Sequence, residues 1–231
     1  MIDSVRRTVL AIINKENRGF ISPEDFNLFA KQSQLEIFED YFEEYTNSVT
    51  NSLLRKTHSD YADTPKILRE KIDVFSEYKA MVYDSQNNLF NLPSDGYRLN
   101  NVIYNGIEVE EVYKSQISYL NLSDLTAPSL DFPCYVRVSN SVVMYPTTIT
   151  SNVFSYYIRK PKDPNWTYQL VNNNPVFNQS DVGYQDLEIH PSDTVKIVKK
   201  ILEYSGVSIR EADIVKLIEQ KDILDKQIIN R

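Results

Sequence analysis

Residues 155–168 read Ser155-Tyr-Tyr-Ile-Arg-Lys-Pro-Lys-Asp-Pro-Asn-Trp-Thr-Tyr168, and they hold the only tryptophan and two of the ten prolines in a chain of 231 residues. Val153, Ser155, Tyr157 and Arg159 alternate with Phe154, Tyr156 and Ile158, the period of two that marks a strand with apolar side chains on both faces. Pro161 and Pro164 then remove backbone donors and push their predecessors out of the helical region, so the strand stops and its exit is stiff. Trp166 is thereby held at a fixed place beyond a sheet edge. It reads as a core tryptophan capping a β-domain, the alternative being an exposed contact to a partner.

Upstream of this strand lies a run of short β-signals. Ala80–Tyr83, Leu89–Leu92, Tyr97–Tyr104, Tyr135–Val138, Val142–Tyr145 and Asn152–Arg159 are separated by Asn, Ser, Gly, Asp and Pro, which predicts mostly antiparallel strands. The piece between them, Ile107–Leu125, mixes acidic residues with Tyr113, Ile117, Leu120 and Leu122 and reads as one helical turn or two.

Further upstream the texture is helical. Val5, Val9, Ile12 and Ile13 predict a first helix over residues 3–14. Ser22 as N-cap, Pro23 at the first helical position and Glu24 and Asp25 at the positive end of the dipole start a second. Its aromatic stripe, from Phe26 through Phe38, Tyr41 and Tyr45, continues to about Arg55. Thr64 and Pro65 open a third, with Ile67, Leu68 and Ile72. Downstream, residues 163–186 read as a long loop. A helix capped by Ser192 runs to Gly206, and Ser208 with Glu211 forms a capping box for a last helix that carries Ile223, Leu224, Ile228 and Ile229. Those apolar residues near the end are expected to dock on a partner or on a neighbouring copy.

The pattern predicts an α+β fold: a helical bundle formed from both chain ends, with an inserted antiparallel β-rich domain. The expected division is a helical part over 1–73, a β-rich insert over 74–165 and a completing loop and helices over 166–231.

Composition narrows the function. A hydrophobic share of 42% with 25% charged residues is that of an ordinary soluble globular chain. A single cysteine, Cys134, excludes an internal disulfide and, with only His58 and His190, leaves few transition-metal ligands, pointing to an intracellular origin. The amino-terminal apolar run is too short for a signal core, and no stretch has the length of a membrane span. The formal charge of -7 opposes wrapping of nucleic acid, and no glycine-rich phosphate loop occurs.

No candidate chemistry survives inspection. Asn14–Asp25 has the outline of a calcium loop, but Asn14 and Arg18 occupy positions one and five, and Asp25 replaces the glutamate at twelve; a cation in the ligand ring defeats the site. Glu39, Asp40, Glu43 and Glu44 read as the solvated face of a helix. Cys134 reads as a small core residue, and neither histidine has an identifiable nucleophile beside it. No enzyme, cofactor or metal is expected.

The order of motifs resembles a known family. Gly19-Phe-Ile-Ser-Pro-Glu-Asp-Phe26, Leu92-Pro-Ser-Asp95, Ala127-Pro-Ser129, Pro133-Cys-Tyr135, Tyr157-Ile-Arg-Lys-Pro-Lys-Asp-Pro-Asn-Trp166, His190-Pro-Ser-Asp193 and Tyr204-Ser-Gly206 follow one another as in the head-to-tail adaptors, or connector ring proteins, of short-tailed bacteriophages. The likeness is closest to those of crAss-like phages of gut Bacteroidetes. It implies a non-enzymatic virion subunit, made in the host bacterial cytoplasm, in a closed ring of twelve copies at the head-tail junction. Its implied partners are itself, the portal protein and the next tail component, with passive contact to DNA and none to membrane. Arg159, Pro161, Pro164 and Trp166 become the expected junction between β insert and helical body, with Trp166 at the seam. Ile223, Leu224, Ile228 and Ile229 become the expected docking tail. A β-rich surface or carbohydrate-binding tail or fibre module is the alternative.

Overall fold

A computed structural model describes residues 1–15, 21–54 and 64–206. The region of the capping box and last helix, including Ile223, Leu224, Ile228 and Ile229, lies outside the described residues, as do His58 and residues 16–20 of the calcium-like loop. The fold is mixed α+β and divides into two compact units, one of Met1–Val74 with Pro161–Arg231 and one of Phe75–Lys160.

The first unit is helical, with α1 at Ile2–Lys15, α2 at Pro23–Leu54 and α3 at Thr64–Asp73. Ile2, Val5, Val9 and Ile13 form the buried face of α1 at the three- and four-residue spacing of a helix. Ser22 caps α2 as its sequence predicts, its Oγ accepting from the Asp25 N–H at 3.1 Å. From that start Phe26, Ala30, Ile37, Phe38 and Tyr41 are buried. The last described helix, α5 at Thr194–Tyr204, buries Ile197, Val198 and Ile201 and packs against α1 and α2, while α3 packs against α2. Ser192 does not cap it. His190 instead caps a 3-10 turn at Pro191–Asp193 by accepting from the Ser192 N–H, and α5 begins after that turn. Gly206, at φ +63, ends the helix in the left-handed region that glycine adopts without strain.

The expected loop over 163–186 contains a hairpin, corrected by two strands, which we number β9 at Tyr168–Val171 and β10 at Asn174–Phe177. Asn172 and Asn173 between them both have positive φ, the conformation of a two-residue type I′ turn that asparagine tolerates. Pro175 argues against a strand within a larger sheet, but this sheet has only two strands, and an edge position accommodates proline.

The second unit carries β1 Ser76–Ala80, β2 Val82–Asp84, β3 Leu89–Asn91, β4 Gly96–Tyr104, β5 Ile107–Glu111, α4 Lys114–Leu120, β6 Cys134–Val138, β7 Ser141–Tyr145 and β8 Val153–Arg159. These eight strands form one sheet in the order β1-β8-β4-β5-β6-β7-β3-β2. The two edge strands are consecutive in the chain, so the sheet nearly closes on itself. The run Ala80–Tyr83, expected as one strand, breaks at Met81, which is buried and donates its N–H to Val153 O at 2.9 Å. Phe90, Leu99, Val102, Val142, Met144 and Val153 fill the interior.

β5 replaces the expected helical start after Ile107. Asn105 and Gly106, at φ 49 and 83, make the type I′ turn that returns β4 into β5. The β5–β6 pair is parallel, against the mostly antiparallel pattern. A parallel pair needs a crossover, supplied here by α4 and the connection that follows it.

Candidate interface and junction sites

Of the residues singled out by sequence, Pro161, Pro164 and Trp166 lie together in the helical unit, and the side chain of each proline and of the tryptophan is buried. They belong to a strap laid along α2. Gln34 Nε2 donates to Lys162 O at 2.8 Å, Lys31 Nζ meets Asp163 at 2.6 Å, and Asn27 Nδ2 donates to Asn165 Oδ1 at 2.8 Å. Helix positions 27, 31 and 34 share one face, so the strap runs antiparallel to the helix, its number rising as that of the helix falls. Seven residues of helix advance about 10 Å, close to the ~13 Å that four extended residues reach. Proline suits such a strap because it keeps the chain extended and asks for no donor partner.

Trp166 closes the strap. Its N–H donates to Asn27 Oδ1 at 2.8 Å and its Nε1 to Asp3 Oδ1 at 3.0 Å. Its ring stacks on Tyr168 and Phe177 of the hairpin, and the Arg6 guanidinium sits 3.7 Å from its centroid. It is 2% exposed. Trp166 is thus a core residue, but of the helical unit, with partners on α1, α2 and the hairpin, rather than the cap of a β-domain. Burial lowers the Arg6 pKa, partly offset by the nearby Asp3 carboxylate. The Arg6 guanidinium also lies 5.9 Å from the Phe26 ring centroid, and its Nε has no hydrogen-bond partner among the described residues.

Arg159 lies in the other unit, at the end of β8. Its Nε is 2.8 Å from Glu77 Oε1, and Lys79 Nζ meets Glu77 at 2.6 Å and Asp95 at 3.1 Å. Between the carboxylates, the Tyr157 hydroxyl lies 3.0 Å from Asp95 and 3.3 Å from Glu77, its single proton shared between them. The hydrogen bond from Lys79 and the charges of Lys79 and Arg159 lower the Glu77 pKa against its partial burial. Burial raises that of Tyr157, which keeps the phenol neutral and makes it a donor rather than a nucleophile. The cluster is a lock between β1, β4 and β8. Beside it, Arg159 N–H donates to Phe75 O at 2.9 Å, so the two ends of this unit's chain leave it side by side.

The remaining candidates are structural. Cys134 is buried with Val112, Ile117 and Val136, and burial pushes its thiol pKa up, away from reactivity. Glu39 and Glu43 are exposed as expected, but Asp40 and Glu44 face α5 and pair with Lys196 at 3.0 and 3.1 Å. Among the described residues no group of three or more His, Cys, Asp or Glu is placed to hold a metal ion. Nor is any helix there long and apolar enough to cross a membrane. A shallow depression of about 510 Å³ opens on the β-rich unit, lined by Asn100, Asn101, Glu108, Glu110, Glu111 and Tyr135.

The sequence pattern alone does not announce an exposed apolar surface on the β5–β6 connection. The β5–β6 connection exposes Tyr113, Tyr119, Leu122, Leu125, Leu130 and Phe132, with Leu125 at 94% and Phe132 at 83%. Only Ile117 among the apolar residues of α4 turns fully inward. The signal available was the run Ser115–Leu130, in which Asp124 is the one charged residue.

No protein-family profile matches the chain, and comparison with curated proteins finds no match.

Proposed function

We propose that this chain is a non-enzymatic structural subunit of a tailed-phage virion, a head-to-tail adaptor. In this reading it closes with copies of itself into a ring between the portal and the next tail component. The observation that carries the reading is the apolar crossover arm of the β-rich unit. A free monomer gains only a risk of aggregation from such a surface, whereas an assembly subunit uses it. The packing of α5 on α1 and α2 supports a bundle built from both chain ends, with the β-rich unit as its insert. The formal charge of -7 suits a conduit through which DNA slides without sticking, since like charge repels the phosphates. Ring closure of twelve copies at the head-tail junction requires a head-to-tail contact that returns on itself by rotation.

Co-expression with the cognate portal, followed by electron microscopy, tests the reading. Rings seated on the portal are expected; a chain that cofractionates with neither portal nor virions overturns it. The depression lined by Asn100, Asn101, Glu108 and Tyr135 favours the second reading, a carbohydrate-binding tail module, because amide, carboxylate and aromatic groups converge there. Specific binding on a glycan array, lost in Asn101→Ala, would support that module instead.

A further inference from the structure

The crossover arm has a built conformation. Thr126 N–H and Ala127 N–H both donate to Ser123 O, Thr126 Oγ1 donates to Leu120 O, and Ser129 N–H donates to Phe132 O while Phe132 N–H returns to Ser129 Oγ. The arm therefore satisfies much of its own backbone while its large side chains point away from the sheet. Three aromatic rings of roughly 150–250 Å² each and three leucines, all more than half exposed, offer on the order of 800 Å². That is what one partner contributes to a standard-size interface. Because the arm is already ordered, docking it costs little further conformational entropy.

A second apolar surface lies elsewhere on the same unit. β1 and β8 pair with Tyr78 opposite Tyr156. Val153, Ser155 and Tyr157 point inward and are buried, so Phe154 and Tyr156 take the outer face. There the Tyr78 ring lies 4.5 Å from that of Tyr156 and 5.1 Å from that of Phe154. Ser76 and Ala80, the next outward residues of β1, carry no charge, so the platform is aromatic and without charge on its β1 side, while on its β4 side Asn101 opposes Tyr156 and bonds Glu108. In the strand order, β4 and β5 separate the platform strand β8 from β6, where the arm ends. On a nearly closed eight-stranded sheet this sets arm and platform roughly a third of a turn apart. They are two distinct faces, and both show the aromatic enrichment of an interface core.

We infer that the arm of one copy docks on the Tyr78–Phe154–Tyr156 platform of a second copy of this chain. Two unlike faces a fraction of a turn apart on one unit are what a heterologous contact between identical subunits requires. The inference rests on the proposed ring reading and supplies its lateral contact.

The test measures self-association of the full purified chain by sedimentation over a concentration series. Leu122→Ser with Leu125→Ser removes the arm, and Tyr78→Thr with Tyr156→Thr removes the platform while keeping strand-compatible residues. Each double variant is expected to weaken association by roughly 30-fold or more, the loss typical of hot-spot residues. An equimolar mixture of the two should form a dimer and nothing larger, because one intact arm then meets one intact platform. Wild-type protein that stays monomeric, variants that associate normally, or a mixture that remains monomeric would each overturn the inference. Should the strand substitutions unfold the sheet, mixing Leu125→Cys with Tyr78→Cys tests the same contact by cross-linking, since Cys134 is buried. A heterodimer in the mixture supports it, and none overturns it. Rings seated on the portal despite the arm substitutions would sink this contact and leave the adaptor reading standing. Self-association through arm and platform without any portal or virion binding would do the reverse.

Discussion

The strap at 161–166 and the arm at 121–132 are both irregular segments carrying large apolar groups, yet Pro161, Pro164 and Trp166 are buried while Leu122, Leu125 and Phe132 are exposed. The difference lies in what each one meets. The strap runs beside a helix that presents Asn27, Lys31 and Gln34 along one face, so its backbone and polar atoms find partners as its rings are covered. The arm hydrogen-bonds mainly to itself, and the small cluster beside it, Ile117 with Val112, Cys134 and Val136, is flanked by Leu120 and Tyr145 and takes in none of the arm's own large side chains. Covering an apolar residue thus depends on a neighbouring element with matched polar spacing more than on the residue itself.

The sharpest way to break this contrast is at Trp166. Trp166→Ala leaves a cavity among Arg6, Tyr168 and Phe177 and removes the indole hydrogen bond to Asp3, so a loss of about 3–5 kcal/mol of stability is expected. Urea unfolding followed by circular dichroism measures it, because the substitution removes the only tryptophan. An effect below about 1 kcal/mol would mean that the strap is not a core element.

A smaller effect is expected one helical turn and more away. Gln34 is 1% exposed; it donates to Lys162 O and accepts from Glu188 N–H. Gln34→Ala should cost about 1–3 kcal/mol, as two part-buried hydrogen bonds to backbone groups are lost. The same unfolding measurement ranks it against Trp166→Ala.

Acid should loosen the helical unit through Asp193, which accepts from Lys71 at 2.8 Å and from the Tyr41 hydroxyl at 2.6 Å. Burial opposes its ionisation, but these hydrogen bonds and the charges of Lys71 and Lys196 outweigh it and lower the pKa. A depressed folded-state pKa gives stability that is full above the unfolded value of ~3.9 and is lost as pH falls through the lower folded value. Melting temperatures between pH 6 and pH 2 should show this decline, and Asp193→Asn should flatten it. An unchanged slope in that variant would remove Asp193 from the account.

The smallest effect belongs to the arm. Leu125→Ser should leave the stability of the isolated chain within about 0.5 kcal/mol, since the side chain has almost nothing to lose. A large drop in melting temperature at low protein concentration would show the arm packed rather than free.

Much of the helical order was legible from local signals. Ser22-Pro23 marks the start of α2, the stripe from Phe26 to Tyr41 its buried face, and Gly206 the end of α5. The strands β3, β4, β6, β7 and β8 match their apolar runs to within a residue or two. The strand β5 was also within reach, because Tyr104-Asn-Gly-Ile107 is a strong hairpin signal; the acidic residues after it drew the reading toward helix. The hairpin β9–β10 was obscured by Pro175, whose cost vanishes at an open edge. Arg159 and Trp166 were found as residues, but their partners Glu77, Asp3 and Arg6 lie far away in the chain, and no local pattern joins them.

By itself, the amino-acid sequence determined where helices start and stop, which strands turn tightly, and that the proline-rich exit from β8 stays extended. These follow from caps, φ preferences and side-chain period, all of them short-range. Only the tertiary structure decided that β1 and β2 close the sheet from opposite edges, that Trp166 belongs to the helical core, and that the apolar side chains of the crossover stay exposed. Those outcomes depend on which surfaces meet across long separations, where burial and hydrogen bonding are settled jointly and no single stretch holds the information.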